Sequence, residues 1–174
     1  PSEERNRVAL LAPKFCLADR CIKERFARSC VEKRAVITSG NLLDISAIQE
    51  VGGYTDSLFI DSVDFDFCLR LRMAGYKILQ CQNALLLHSL GESIQKTIFG
   101  RRFSIHAHSL IRKYYISRNH IYVNKKYFAF DPIFCIKKNI SFLLFFFQAV
   151  LLERNKWQNF RYVCRGLKDG FKGK

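Results

Sequence analysis

An α/β fold is predicted for the first hundred residues, because short apolar runs alternate there with helix-like segments. Two of the apolar runs have the composition of buried strands, and two later segments carry helix start and stop signals. Beyond residue 100 the pattern becomes basic and mainly helical. We therefore predict an α/β domain over 1–100 and a basic, mainly helical extension over 101–174, with the boundary between Gly91 and Gly100.

Four strand-like segments are predicted, at residues 8–12, 35–38, 77–82 and 84–88. Pro13 ends the first of them, since proline lacks the N–H group that a sheet ladder needs. The turn Ser39-Gly40-Asn41 ends the second, and Asn83 separates the last two.

The first predicted helix begins at a cap supplied by Asp44 or Ser46 and stops at Gly52-Gly53. Its apolar face is predicted to consist of Ile45, Ile48 and Val51. The second helix is predicted to open at Asp61 or Ser62 and to end at Gly75 in a left-handed conformation. Phe65, Leu69 and Met73 fall on one side of it.

The extension contains a basic helical pattern over 101–127 and then an apolar stretch. Its longest charge-free window, Asn139–Leu152, would span about 21 Å as a helix. A bilayer core needs about 30 Å, so the window is short for a transmembrane helix. The flanking Lys137-Lys138, Arg154, Lys156 and Trp157 suit an interfacial helix. A buried helix, monotopic membrane attachment and a true span all remain open.

The formal net charge of +14 points to an anionic partner, but the charge is unevenly distributed. Residues 1–100 hold 13 Lys+Arg against 12 Asp+Glu, whereas residues 101–174 hold 16 against 3. The apolar fraction of 49% excludes a disordered polyelectrolyte. The seven cysteines include no CxxC pair, so we expect mostly buried, reduced thiols of a cytosolic protein rather than a disulfide framework or a zinc ribbon.

Three carboxylates, Asp61, Asp64 and Asp66, cluster where the second helix begins. Free N–H groups and the helix dipole stabilise anions at such a position, and an ionised carboxylate at a cleft edge can accept a proton or bind a cation. An ordinary structural explanation exists too: Asp61 could cap the helix, and Asp66 could pair with Arg70 four residues later.

The order and spacing of several motifs favour the catalytic interpretation. Ser39-Gly40-Asn41 ends a strand, Gly52-Gly53-Tyr54 forms a turn, Asp64-Phe65-Asp66 leads through Leu69-Arg70 to Gly75-Tyr76, and a later strand ends in His88. Together they resemble the C-terminal half of a family 2 glycosyltransferase of GT-A (Rossmann-like) fold, in particular the bacterial rhamnosyltransferase-like members. The resemblance runs from about Val8 to about Tyr127 and is densest over 36–91.

The resemblance implies a role for each matching residue. Asp64 would be the general base that takes the proton from the acceptor hydroxyl during inverting attack on the anomeric carbon. His88 would lie near a divalent metal, Mg²⁺ or Mn²⁺, or near the leaving diphosphate. The substrate-binding positions would be Ser39, Gly40, Asn41, Asp61, Asp66 and Arg70, with Asp66 and Arg70 also fixing the helix that presents Asp64.

Two departures from the family pattern stand out. Val63 replaces the acid that many relatives carry before the base, and the N-terminal half with its metal-binding Asp-x-Asp is missing from this chain. We therefore expect the isolated chain to be inactive and to leave a sheet edge exposed.

The implied partners are a nucleotide-sugar donor, with dTDP-rhamnose as one candidate, and a lipid-linked saccharide acceptor in cell-surface polysaccharide synthesis. The implied location is cytoplasmic, peripheral on the inner face of the cell membrane, where the basic extension would meet an anionic membrane surface. Two other functions are kept as alternatives: a basic nucleic-acid-binding module and a non-catalytic membrane-associated remnant. The apolar Phe142–Phe147 cluster disfavours nucleic acid, because it does not suit a solvated stacking platform.

Overall fold

The computed structural model describes residues 7–16, 29–87, 93–98, 101–106 and 108–173, with only the backbone described over 93–98 and 101–106. The chain forms two compact units. The first comprises residues 1–57 and 63–89, and the second comprises residues 58–62 and 90–174.

The first unit is built on a four-stranded sheet with the order β2-β4-β1-β3. Its strands are β1 (Val8–Cys16), β2 (Cys30–Glu32), β3 (Leu42–Leu43) and β4 (Lys77–Leu87). β1 and β4 pair in parallel at the centre, and β2 and β3 pair with them antiparallel. Parallel neighbours need a crossover connection, which here contains two helices, α1 (Ile45–Val51) and α2 (Val63–Met73). The prediction of an α/β class is confirmed.

The core of this unit lies where the two helices cover the central strands. Leu10 of β1 and Ile78 of β4 are completely buried there. They belong to one cluster with Ala47 of α1 and with Phe67 and Leu71 of α2. Burial of these side chains supplies the main driving force for this unit, at roughly 1.5–3 kcal/mol for each large residue.

The strand predictions need three corrections. β1 continues through Pro13 to Cys16, and its pairing with β4 slips between Pro13 and Lys14, because a bulge accommodates the missing N–H. Residues 35–38 join no ladder; the strand forms later, at Leu42–Leu43. The two pieces predicted around Asn83 are a single strand.

The helix ends follow the predicted signals closely. Asp44 caps α1 by accepting hydrogen bonds from the Ser46 and Ala47 N–H groups, and Gly52 ends it with φ of +81°. Hydrogen bonds from the Ser46 hydroxyl and then from Arg7 to the Asp44 carboxylate lower its pKa to about 2. Gly75 follows α2 with φ of +91°. The predicted apolar faces are only partly right, since Ile45 and Met73 are exposed.

The second unit contains an antiparallel hairpin and three helical segments. The hairpin pairs β5 (Ser93–Ile98) with β6 (Arg101–His106), so the helix predicted from residue 101 begins only at Leu110. The helices are α3 (Leu110–Tyr127), α4 (Pro132–Phe147) and α5 (Lys156–Lys172), and α4 continues into a π-helical turn at Gln148–Leu152. The extension is thus mainly helical from Leu110 onward.

The helix formed by the apolar stretch is longer than the charge-free window Asn139–Leu152. Over the described residues, Pro132–Leu152 is long and apolar enough by length and composition to cross a membrane. It includes Lys137 and Lys138 and extends through 21 residues. Only 11% of its most apolar window is buried, which is low for the core helix of a soluble domain.

The prediction of reduced, mostly buried cysteines also needs a partial correction. Cys30 on β2 faces Cys81 on β4, and the structure joins them in a disulfide with Cα atoms 4.1 Å apart. Antiparallel neighbours bring opposite residues to this separation, which the linear spacing of the cysteines does not reveal. Cys68 and Cys135 are buried free thiols, as expected, whereas Cys164 is free but exposed.

Candidate functional site

Asp64, the predicted base, lies in the first turn of α2 and is half-buried. Thr38 Oγ1 donates a hydrogen bond to its Oδ1 atom. Its Oδ2 atom accepts no hydrogen bond from the described residues. The carboxylate is therefore held by one oxygen and leaves the other able to receive a proton.

The turn Ser39-Gly40-Asn41 directly follows Thr38, and its backbone conformation explains the glycine. Gly40 has φ of +70°, and a Cβ atom there would lie 3.1 Å from a Leu86 methyl group. The close approach that Gly40 permits is thus to the protein's own Leu86 and Pro13. The predicted contact of Gly40 with a sugar stays a prediction.

Asn41 has one satisfied and one unsatisfied side-chain atom. Its Nδ2 donates to the Ile37 carbonyl at 3.0 Å, whereas its buried Oδ1 has no partner among the described residues. A buried acceptor without a donor is costly unless something else supplies the donor. A ligand hydroxyl or amide is one such donor, so the observation agrees with a binding role for Asn41. Ser39 in the same turn is exposed.

Asp66 and Arg70 form an internal strut on α2. Asp66 is completely buried and accepts hydrogen bonds from Thr55 Oγ1 at 2.6 Å and from Arg70 Nε at 2.9 Å. Of the two predicted roles, substrate contact and support for α2, the burial of Asp66 agrees with support. Its carboxylate is compensated by these partners, as a buried charge requires.

The strut also explains why a Gly-Gly-Tyr turn follows α1. Arg70 donates to the carbonyl oxygens of Val51, Gly52 and Gly53 at 2.6, 3.0 and 2.6 Å. The Val51 carbonyl is one of those that the end of α1 leaves unpaired, and the other two follow it in the turn. Tyr54 then packs on Phe67 of α2 with ring centroids 4.7 Å apart. α1, the turn and α2 are thereby locked together beneath Asp64.

Asp61 lies in a strained segment, residues 58–62, that belongs to the second unit. Phe59, Asp61 and Ser62 have φ values of +55°, +70° and +63°, which non-glycine residues rarely adopt. Asn119 of α3 holds this segment, because its Nδ2 donates to the Leu58, Ile60 and Asp61 carbonyl oxygens at 2.9, 3.0 and 2.9 Å.

The Asp61 carboxylate accepts from Ser62 Oγ at 3.0 Å, and a set of basic groups lies within its electrostatic influence. Burial lowers the pKa of His120 to about 4, and the nearby Asp61 charge opposes that shift. The pKa values of His108 and Lys138 are also lowered, chiefly by burial, again with Asp61 acting in the opposite direction. His120 itself stacks on Phe142 of α4 with centroids 4.2 Å apart.

His88, the predicted metal or diphosphate residue, lies outside the described residues. Within the described ranges, no group of three or more His, Cys, Asp or Glu side chains is placed to hold a metal ion. The part of the site that is described therefore does not assemble the predicted metal centre by itself.

Sequence reasoning missed Thr38 and Thr55, which hold Asp64 and Asp66 in the first unit, and Asn119, which holds the 58–62 segment in the second. Thr38 stands next to the recognised turn, and that adjacency was the available signal. Thr55 and Asn119 reach their partners across 11 and about 60 residues of sequence, so only the fold reveals them.

The comparison with curated proteins gives one relative. The chain is 27% identical over 138 residues to dTDP-rhamnosyl transferase RfbF of Shigella flexneri. The match covers 79% of this chain and 45% of that protein, so the chain spans less than half the length of the relative. The matched protein is, by its name, a glycosyltransferase, and the α/β fold of the first unit is compatible with a fragment of such an enzyme.

No protein-family model matches the chain. No solved structure matches it either.

Proposed function

We propose that this chain is the acceptor-side part of a glycosyltransferase that moves a sugar from a nucleotide-sugar donor to a saccharide acceptor with inversion. The similarity to a dTDP-rhamnosyl transferase over most of the chain is the observation that carries the class of reaction. The placement of Asp64 in the first turn of α2 supports the choice of base.

In the proposed reaction, Asp64 Oδ2 accepts the proton of the acceptor hydroxyl. The deprotonated oxygen forms a bond to the anomeric carbon of the donor while the bond from that carbon to the diphosphate oxygen breaks. The nucleoside diphosphate leaves with the electron pair, the anomeric configuration inverts, and the proton remains on Asp64. General base catalysis of this kind contributes typically about 10²–10⁴-fold in rate.

Three local features support this role. Thr38 fixes one carboxylate oxygen and orients the other. The Asp66–Arg70 strut ties α2 to the end of α1, so Asp64 stands on a rigid support. The unpaired Oδ1 of Asn41 offers an acceptor to a bound hydroxyl near the same turn. Positions held in this way reduce the reorganisation needed to reach the transition state.

The finer parts of the proposal rest on the family resemblance. They are a family 2 enzyme of GT-A fold, rhamnose as a candidate sugar, a lipid-linked acceptor in cell-surface polysaccharide synthesis, and dependence on the N-terminal half for donor binding. The divalent cation, with His88 near it, stays a prediction. None of the reaction steps given above is assigned to the cation.

The test replaces Asp64 with Asn in the full-length product of the gene, assayed with dTDP-rhamnose and other nucleotide sugars. Asp64→Asn keeps the hydrogen bond partners available but removes the basic oxygen. We expect kcat to fall by about 10²–10⁴-fold while donor affinity measured by calorimetry stays unchanged.

Asp56→Asn is the matched control, because Asp56 is an exposed carboxylate outside the predicted site. It should leave kcat unchanged. Near-normal turnover of the Asp64→Asn enzyme would show that another group is the base, and the absence of sugar transfer from any nucleotide sugar would sink the proposed class.

A further inference from the structure

We propose that α4 and α5 together form a face that lies flat on an anionic phospholipid bilayer. This inference goes beyond sugar transfer, and it does not depend on Asp64 or on any nucleotide sugar. It is carried by the exposed apolar side chains of the two helices, by their continuity, and by the distribution of charge around them.

α4 presents an unbroken exposed apolar stripe. Its members recur every three or four residues, as one side of a helix requires. They are Ile133, Ile136, Ile140, Leu143, Leu144 and Phe147, together with Leu151 of the π-helical turn that follows α4, each at least about half exposed. A soluble monomer rarely exposes so long a row of aliphatic residues, so the row indicates an apolar partner.

α5 continues this surface with a second stripe. Two small residues on its opposite side, Gly166 and Gly170, lie against the α3 backbone, and the outward side carries exposed apolar residues, of which the Phe171 ring also lies 5.5 Å from Lys125 Nζ of α3. The outward stripe consists of Trp157, Phe160, Cys164, Leu167 and Phe171. Trp157 and Phe171 are 73% and 65% exposed, which is unusual for residues that have a core available.

Aromatic contacts join the two stripes into one face. Phe146 of α4 lies 6.3 Å from Phe160 of α5, measured between ring centroids. Phe160 in turn stacks on Trp157 at 5.9 Å. Asn159 fixes the junction by donating to the Ala149 and Arg154 carbonyl oxygens at 2.7 and 2.9 Å. We name the two stripes and this junction the α4–α5 face.

A row of cations borders the α4–α5 face. Arg161, Arg165, Lys168 and Lys172 follow one another at helical spacing beside the apolar stripe of α5, and all four are exposed. None forms an ion pair with another described residue. Lys137, Arg154 and Lys156 add exposed positive charge around α4 and its junction with α5.

Two of the three acidic residues of the same region are buried, and the third, Asp169, is half-buried. Asp131 is buried and caps α4 through the Phe134 N–H at 3.0 Å. Glu153 is buried in an ion pair with Lys113 at 2.6 Å. Asp169 accepts a hydrogen bond from the Tyr114 hydroxyl at 2.9 Å. The surface beside the apolar face is therefore cationic, which is complementary to anionic lipid headgroups.

The contacts of α4 favour a helix that lies in the interface over one that spans the bilayer. Its C-terminal half contacts other residues of the second unit: Phe142 stacks on His120, and the Phe145 ring lies 6.2 Å from the His108 ring. A spanning orientation would carry these polar partners into the hydrocarbon. A flat orientation places the exposed stripe in lipid and keeps the inner side on protein.

The test uses intrinsic fluorescence, because Trp157 is the single tryptophan of the chain and lies on the proposed face. The probes are vesicles of equal parts phosphatidylglycerol and phosphatidylcholine, vesicles of phosphatidylcholine alone, and a single-stranded oligonucleotide. We expect a blue shift of the Trp157 emission and co-sedimentation with the anionic vesicles, at least about tenfold weaker binding to the neutral vesicles, and no blue shift with the oligonucleotide.

Two variants and one control locate the contact. Leu144→Glu should weaken binding to anionic vesicles by about tenfold or more, because it places a charge in the apolar stripe. Replacing Arg161, Arg165, Lys168 and Lys172 together with Gln should weaken it by about 100-fold or more at low salt. Met73→Glu is the control, since Met73 is similarly exposed but lies in the first unit, and it should bind as the unmodified chain does.

Orientation is read by moving the tryptophan to α4 with Trp157→Phe combined with Leu143→Trp. Lipids brominated near the headgroup should quench it better than lipids brominated near the chain end. Stronger quenching from the chain end would replace the flat orientation with a spanning one. Failure to bind either vesicle, equal binding by Leu144→Glu and Met73→Glu, or binding to the oligonucleotide without vesicle binding would overturn the proposal.

Discussion

At the residue scale, Asn119 stabilises the least regular part of the chain. One amide group donates to three carbonyl oxygens of a segment that contains three non-glycine residues in left-handed conformations. Each such conformation costs of order 1–3 kcal/mol and persists only where the surroundings enforce it. The segment ends one residue before α2, whose first turn carries Asp64.

Asn119→Asp should therefore be strongly destabilising. It removes both amide protons and sets a carboxylate against three carbonyl oxygens, so we expect the free energy of unfolding to fall by about 3 kcal/mol or more. Urea unfolding followed by Trp157 fluorescence measures the change, and amide exchange over 58–62 should accelerate.

Asn124→Asp provides the comparison on the same helix. Asn124 is only half-buried and donates to the His120 carbonyl within α3. Its replacement should cost less than about 1 kcal/mol. Equal effects of the two substitutions would mean that Asn119 does not hold the segment.

At the element scale, α3 and α5 approach each other unusually closely. A Cβ atom on Gly166 would lie 2.3 Å from the Tyr114 carbonyl oxygen, and one on Gly170 would lie 2.7 Å from the Arg118 carbonyl oxygen. Both glycines lie inside a helix, where they cost backbone entropy. Their place in α5 is explained by the packing on α3, four residues apart on one side.

Gly166→Ala should consequently lower the free energy of unfolding, whereas a Gly→Ala change inside a helix usually raises it. Such a substitution ordinarily stabilises a helix by about 0.5–1 kcal/mol. Here the contact with backbone atoms should force α5 away from α3 and lower the free energy of unfolding by about 1–3 kcal/mol. Urea titration of the Trp157 signal again reports it, because Trp157 lies on α5.

Cys164→Ala on the outward side of α5 serves as the reference substitution. Cys164 is exposed, so the change should stay within about 0.5 kcal/mol of the unmodified chain. A stabilising Gly166→Ala variant would show that α5 does not pack against α3 at this distance.

At the scale of the whole molecule, the excess positive charge and the Cys30–Cys81 disulfide lie in different units. The excess of basic residues belongs to the second unit, whereas the Cys30–Cys81 disulfide ties two strands of the first. Disulfides persist mainly in oxidising compartments. The expected location on the cytosolic face predicts reduced thiols, so the state of this pair also bears on where the protein resides.

Reduction of the Cys30–Cys81 disulfide should destabilise the first unit. The bond closes a loop with a sequence separation of 51, for which chain entropy predicts about 4 kcal/mol. Protein purified without reductant should yield a cross-linked peptide containing both cysteines in mass spectrometry. Its urea unfolding, followed by circular dichroism, should shift to lower urea on reduction, and a Cys30→Ser, Cys81→Ser variant should show the share of this pair without reductant, because Cys16 is disulfide-bonded as well.

The same shift should appear in a Cys164→Ser variant, because Cys164 is a free thiol. Alkylation of both Cys30 and Cys81 in the native, unreduced protein would contradict the disulfide and would agree with a cytosolic location.

Local signals were read correctly where the chemistry is local. Asp44 as a cap, Gly52 and Gly75 as stops, and the α/β alternation all follow from side chains acting on their own backbone. The strand at 35–38 failed because strand formation needs a partner, and β1 finds Leu42–Leu43 instead. The hairpin β5–β6 was missed for the same reason, since its basic residues carry no strand signal of their own.

The candidate site, too, could be predicted from the sequence only in part. Its motif residues could be recognised in the linear sequence, and Asp64 at the start of a helix was predicted from spacing. The function of Asp66 and Arg70 as a strut was one of two sequence-based explanations, and the burial of Asp66 agrees with it. His88 lies outside the described residues, so its role stays a prediction.

By itself, the sequence determined the class of fold, the ends of α1 and α2, the cationic character of the extension and an acidic motif that resembles one of glycosyltransferases. Only the tertiary structure decided which polar atoms hold Asp64 and the 58–62 segment, and which apolar residues of α4 and α5 stay exposed. The physical reason is the distance along the chain over which each interaction acts. Caps, turns and charge act over a few residues, whereas burial and long-range hydrogen bonds depend on which distant segments the fold brings together.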